Sequence, residues 1–139
     1  MKGYLVDTNI LSELRRPKPA PAVVGWISSA DPERLFISVL TLGEMRRGVE
    51  LLRLKDPVAA RALHRWMDST LQEFSERILG IDESVAECWG RLSIREQLPS
   101  IDGLLAATAS VHDLQVATRN TDDFERSGIA CFNPFEFTA

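Results

Sequence analysis

Asp7, Glu44, Asp102 and the group Asn120, Asp122 and Asp123 are far apart in the chain, yet each stands just past a short apolar run or in the first turns of a helix. Gly3-Tyr-Leu-Val6 precedes Asp7. Leu35-Phe-Ile-Ser-Val39 precedes the helix that carries Glu44. Asp102 lies in the first turn of a helix that follows Pro99, and Leu114-Gln-Val-Ala-Thr118 precedes Asn120, Asp122 and Asp123. Apolar runs that alternate with helical patterns read as parallel strands, and ligands of such sheets sit outside the carboxyl ends of the strands. These carboxylates are therefore expected at one end of one sheet. Two like charges about 4 Å apart repel by roughly 4 kcal/mol at an effective dielectric of about 20. Three or more that converge need a cation, and Mg²⁺ or Mn²⁺ with oxygen ligands supplies it. The chemistry open to such a set is metal-assisted hydrolysis, in which the ion activates water and takes up charge on a phosphoryl oxygen.

Each residue also has an ordinary structural reading. Asp7 can cap a helix, Thr41-Leu-Gly-Glu44 matches the capping-box pattern in full, and Asp102 suits the positive end of its helix. Only their common placement favours a site. Other chemistries find little support. His64 and His112 both fall in helical stretches, no serine–histidine–acid or cysteine–histidine set is evident, and there is no glycine-rich phosphate loop.

The elements that must position these residues follow from hydrophobic spacing. Ile10, Leu11 and Leu14 mark a helix after Asp7, which Pro17, Pro19 and Pro21 end; the last proline can open a second helix with Val23, Val24, Trp26 and Ile27. A long helix is expected to start at Thr41, with Leu42, Met45, Val49 and Leu52 on one stripe, and Asp56-Pro57 breaks it. The next helix is expected to run to about Arg77, with Val58, Ala62, Leu63, Trp66, Met67, Leu71 and Phe74 on its buried side. After a short strand at Ile78–Ile81, Asp82 caps a helix carrying Val85, Cys88, Trp89 and Leu92. Ser100 is expected to cap a helix with Ile101, Leu104, Leu105, Thr108 and Val111 inward. A turn or short helix at Thr121–Phe124 and a strand at Ile129–Phe132 complete the pattern. The fold class expected is α/β: a mostly parallel central sheet with helices on both faces.

At 139 residues the chain fits one domain, taken as residues 1–139. Cys88 and Cys131 have no partner at metal-ligand spacing and read as reduced core cysteines. The apolar run near the N-terminus is too short for a signal peptide and no run could span a bilayer, so the expected location is the cytoplasm, without membrane association. A net charge of -4 argues against a general nucleic-acid binder, but the cations are clustered. Arg15, Arg16 and Lys18 form one group; Arg46, Arg47, Arg53 and Lys55 a second; Arg61, His64 and Arg65 a third. Solvated helix faces and nucleic-acid contacts are both open for each.

Four segments together resemble the signature blocks of PIN-domain nucleases: Leu5-Val-Asp7-Thr-Asn9, Ser38 to Glu44, Ile101-Asp102-Gly-Leu-Leu-Ala-Ala-Thr-Ala109 and Val116 to Phe124. The closing Phe132-Asn133-Pro134-Phe135 resembles the end of the VapC and FitB type of bacterial toxin. The blocks occur in family order at family spacing over essentially the whole chain. The resemblance implies a PIN-like three-layer sandwich. It also implies that Asp7, Glu44 and Asp102 are acidic metal-site residues for Mg²⁺ or Mn²⁺, and that Thr118 lines the same site. Thr8, Asn9 and Asn120 stand as supporting residues. Asn120 departs from the pattern, since many relatives carry a fourth acid there, and Asp123 is the candidate to replace it. The activity implied is a metal-dependent endoribonuclease that is the toxic component of a type II toxin–antitoxin system. The partners implied are an RNA substrate, a second copy in a homodimer and a cognate antitoxin, itself expected to bind DNA. Two other readings compete. One is a degenerate PIN domain that only binds partners. The other is a haloacid-dehalogenase-like phosphatase, which wants a second Asp where Asn9 stands.

Overall fold

Leu5 and Val6 are adjacent and both fully buried, so strand β1 (Gly3–Val6) must be covered on both faces. In the computed structural model, which describes residues 2–95 and 98–139, it is. Val6 packs into one core with Ile10, Leu11, Val23, Trp26, Ile37, Met45, Val49 and Met67. Leu5 packs into a second core with Leu105, Ala106, Ala109, Val116 and Phe124. The first is built by helices α1 (Thr8–Arg15), α2 (Pro21–Ser29), α3 (Val39–Lys55) and α4 (Pro57–Glu73). The second is built by α5 (Glu83–Arg95), α6 (Ser100–Val111) and α7 (Thr121–Arg126). Helices therefore cover both faces of the sheet, as expected.

Among the described residues the remaining strands are β2 (Leu35–Ser38), β3 (Ile78–Leu79), β4 (Leu114–Ala117) and β5 (Cys131–Phe132), in the order β3-β2-β1-β4-β5. Every neighbouring pair is parallel, so the sheet expected to be mostly parallel is wholly so. The chain steps outward from β1 to β2 to β3, then returns to the other side of β1 as β4. That reversal opens a crevice beyond the carboxyl ends of β1 and β4, the usual place for a ligand in such a sheet. Pairing continues to its lip, where the Asp7 N–H donates to the Ala117 carbonyl at 2.9 Å. Gly3 lets β1 begin there, because a Cβ at that position would run into the Arg34 carbonyl.

Several boundaries differ from expectation for local reasons. Helix α3 begins at Val39, because Ser38 ends the strand and its hydroxyl accepts from the Leu40 N–H at 3.0 Å. Thr41 is thus inside the helix and wholly buried, and the capping box with Glu44 does not form. Helix α4 stops at Glu73; Arg77 turns back, donating to the Glu73 and Leu35 carbonyls at 2.8 and 2.9 Å. Pro99 rather than Ser100 stands at the N-cap of α6. The buried side of α6 is Gly103, Leu105, Ala106, Ala107, Thr108 and Ala109, whereas Ile101 and Val111 are exposed. Small side chains let this helix lie close to β1 and β4. Val58, Val24 and Trp89 are likewise more exposed than their spacing suggests. Cys88 and Cys131 are unbridged and half-buried. Among the described residues no helix is long and apolar enough to cross a membrane.

Candidate active site

The crevice floor is Asp7. It is the N-cap of α1, its Oδ1 accepting from the Thr8 N–H at 2.8 Å. Its Oδ2 accepts from the Thr118 hydroxyl at 2.8 Å and from the Asn9 amide at 3.3 Å. Thr118, the first residue past β4, is fully buried, and its hydroxyl also accepts from the Asn120 N–H at 3.0 Å. Asn9 completes the bridge between the strand ends: its Nδ2 lies 3.4 Å from the Thr118 Oγ1, and its Oδ1 accepts from the Arg119 N–H at 3.4 Å. Despite these donors, burial holds the Asp7 carboxyl above the usual aspartate range.

Glu44 enters from α3, where it stands one turn beyond the helix start, and its Oε1 accepts from the Thr8 hydroxyl at 2.7 Å. Thr8 therefore links the β1 and β2 sides of the crevice. Asp102 enters from the first turn of α6 on the opposite face of the sheet. Its carboxylate takes no hydrogen bond from any described residue. Burial raises its pKa first, followed by the negative charges of Asp7, Asp123 and Glu44. Asp7, Glu44 and Asp102 line the same cleft, and Asp123 is near enough for its charge to act on Asp102 as well. The approach of α6 depends on Gly103, where a Cβ would come within 3.0 Å of the Trp89 indole nitrogen.

Asp123 sits at the edge of this group. Its Oδ2 accepts from the Asn120 amide at 2.9 Å and its Oδ1 is engaged by Arg126, which together hold its carboxyl below the usual range. Asn120 thus orients Asp123. Asp122 is exposed at the head of α7. Asp7, Thr8, Asn9, Glu44, Asp102 and Asn120 line one open cleft; Arg16 of the first basic cluster lines it with them, as do Ser12 and Glu13, which sequence reasoning passed over. With Thr8 and Asn9 they recur every three to four positions, so they form the polar stripe of α1 opposite Ile10, Leu11 and Leu14. That spacing was the available signal. His64 lies outside the cleft, 3.4 Å from both Asp68 and Arg46.

Carboxylates, hydroxyls, two amides and the Arg16 guanidinium line the cleft, with no histidine or cysteine among the described lining residues, and the cleft stands at the switch point of a parallel sheet. A family model described as PIN domain matches residues 4–129. The chain belongs to the PIN-domain family. Toxin FitB of Neisseria gonorrhoeae is 38% identical over 137 residues, covering 94% of this chain and 97% of FitB. VapC ribonuclease Y4jK of Sinorhizobium fredii is 31% identical over 140 residues, covering 95% and 97% respectively. The crystal structure of FitAcB from Neisseria gonorrhoeae superposes with a TM-score of 0.90 at 37% identity, covering 96% of this chain and 99% of that one. This PIN domain has the three-layer arrangement its sequence blocks imply. Membership displaces the phosphatase reading, and Asn9, the residue that reading required to be an acid, instead ties Asp7 to Thr118.

Proposed function

We infer that this chain is the toxin of a type II toxin–antitoxin pair, a PIN-domain ribonuclease that hydrolyses RNA phosphodiester bonds with Mg²⁺ or Mn²⁺. The observation that carries the reading is Asp102, a carboxylate without a hydrogen-bond partner among the described residues, on which the charges of Asp7, Asp123 and Glu44 act, in a chain that resembles a named toxin and a named ribonuclease along nearly its whole length. The residues fit a hard divalent cation: the donors are oxygens, and Asp102 is raised by burial first and then by the charges of Asp7, Asp123 and Glu44, a repulsion that such an ion would relieve. Among the described residues no three acidic, histidine or cysteine side chains are already close enough to enclose an ion, so the carboxylates would turn inward to hold one.

Asp7, Glu44 and Asp102 are the proposed ion-holding residues, with Asp123 as the fourth acid once Arg126 releases it. The bound ion would supply Lewis acidity toward a phosphoryl oxygen and a more acidic water. The chain's own residues set the geometry. Thr118 and Thr8 donate to Asp7 and Glu44, Asn9 ties the β1 and β4 ends together, and Asn120 keeps Asp123 at the rim. A ribonuclease toxic to its own cell requires an inhibitor, and we assign that role to a cognate, DNA-binding antitoxin, with the toxin acting in the cytoplasm as a homodimer. Calorimetric titration with Mn²⁺ tests the site. Wild type should bind the ion and Asp102→Asn should lose most of that binding; equal binding by the two would leave Asp102 outside the site and favour the degenerate, partner-binding reading.

A further inference from the structure

The cleft has a second pole that the proposed hydrolysis does not use. Glu13 lines it on α1, yet its carboxylate is buried, with a side-chain exposure of only 7%. Its Oε2 accepts from the Ala20 N–H at 2.8 Å and its Oε1 from the Arg16 guanidinium at 3.2 Å. The charges that act on Glu13 are Arg16 and Arg119, whereas those that act on Asp102 are Asp7, Asp123 and Glu44. Glu13 therefore belongs to the basic side of the cleft and not to the carboxylate group. Arg16 is the cation among the residues that line the cleft, and Arg119 acts on Glu13 from outside that lining. Arg119 is held in place by the Phe135 ring, 4.4 Å from its guanidinium. Arg16 spends one nitrogen on Glu13, lines the cleft and leaves 67% of its side chain exposed, so its other donors are free for a ligand. Its backbone is pinned as well, as the C-cap of α1 ahead of Pro17.

Resting on the ribonuclease reading above, we propose that Arg16 grips a phosphate of the RNA one or more nucleotides from the bond to be cut, and that Glu13 is the positioning residue that holds Arg16 there. A polyanion entering a cleft with three carboxylates at one end needs a fixed cation at the other, and a guanidinium offers the paired donors that match phosphate oxygens. Of the three basic clusters in the sequence, this places the one containing Arg16 on the substrate path.

The test is steady-state cleavage of a fluorogenic single-stranded RNA, together with anisotropy of a labelled RNA on the full chain carrying Asp7→Asn. Arg16→Gln can still donate to Glu13, so the fold is preserved, and equal melting temperatures check this. It should raise KM about tenfold or more with kcat little changed, as loss of a charge-assisted contact predicts. It should also flatten the slope of log affinity against log salt by about 0.7, the share of one phosphate on a single strand. Glu13→Gln should raise KM by a smaller factor, and Arg61→Gln on the exposed side of α4 should change neither quantity. Unchanged KM and salt slope in Arg16→Gln, with wild type cleaving normally, would overturn the proposal and leave the nuclease reading intact. If wild type cleaves no RNA, the nuclease reading fails instead. The anisotropy arm then decides alone, a tenfold loss in the Arg16 variant supporting the phosphate contact and equal binding refuting it.

Discussion

Thr118→Val separates the support of Asp7 from the chemistry Asp7 performs. Valine keeps the branched shape of threonine, so at this fully buried position the main change is chemical rather than volumetric. The loss is the hydroxyl that donates to the Asp7 Oδ2 at 2.8 Å. A hydrogen bond to a charged, buried group contributes about 1.5–3 kcal/mol, and the Asn120 N–H that the hydroxyl also accepts is near enough to solvent to find water. A destabilisation of about 2 kcal/mol at pH 7 corresponds to a fall in Tm of roughly 6–8 °C for a domain of this size. The sign with pH is fixed by Asp7. Its folded pKa is raised by burial, so its ionisation costs stability as pH rises through that value, and the Thr118 bond opposes the cost. Removing the bond raises the pKa further. The gap between wild type and variant should therefore be full at pH 7 and narrow as pH falls through the folded pKa toward the unfolded aspartate value of about 3.9. Thermal scans of metal-free protein from pH 7 to pH 4 measure it, and cleavage should drop along with the Tm. A Tm within about 1 °C of wild type at pH 7, or a gap independent of pH, would mean that this hydroxyl does not hold an ionised Asp7.

Asp102→Asn should abolish cleavage and raise the Tm of metal-free protein at pH 7; since its folded pKa is raised, the gain should vanish on acidification below the unfolded value, and a variant less stable than wild type at pH 7 would count against carboxylate crowding. Glu44→Gln should lose activity with its Tm unchanged, because the amide oxygen can still accept from Thr8; a fully active variant would return Glu44 to a structural role. Asp123→Ala should slow cleavage and should remove some stability at neutral pH, since its depressed pKa marks stability present above the unfolded value and lost as pH falls; unchanged rates would confine Asp123 to ordering its turn. Leu54→Glu, at the 84%-exposed tip of the α3–α4 hairpin beside Leu51 and Val58, should weaken the complex with the co-expressed antitoxin while cleavage survives; undiminished copurification would place the antitoxin elsewhere.

Much of the fold and of the acid set was legible because strand-end acids leave a plain mark. An apolar run that stops abruptly at an acid, as Val6 does at Asp7, marks the point where a buried strand leaves the core. The start of α3 was harder. Ser38 and Thr41 both obey the grammar of a helix cap, and only the end of β2 decides that the Ser38 hydroxyl reaches a backbone N–H while Thr41 turns into the core. In α6, residue type misled: Ile101 and Val111 are larger than the alanines beside them, but the small residues are buried because the helix must lie close to the sheet. Arg16 reads only as one of a basic cluster, and Glu13 draws no reading at all. What distinguishes them is the Ala20 N–H, which the proline-rich turn brings back onto Glu13, and no local pattern announces that contact.

Whether one cluster of acids cuts RNA with a divalent ion can be measured directly. End-labelled RNA is incubated over a time course with wild type, Asp7→Asn and Asp102→Asn, purified identically, in Mg²⁺, in Mn²⁺ and with excess chelator. Wild type should give defined cleavage products in either metal and none with chelator, and neither variant should give any. Cleavage by wild type and Asp7→Asn at the same rate, or cleavage that persists with chelator, would show that these carboxylates and their ion are not the catalyst.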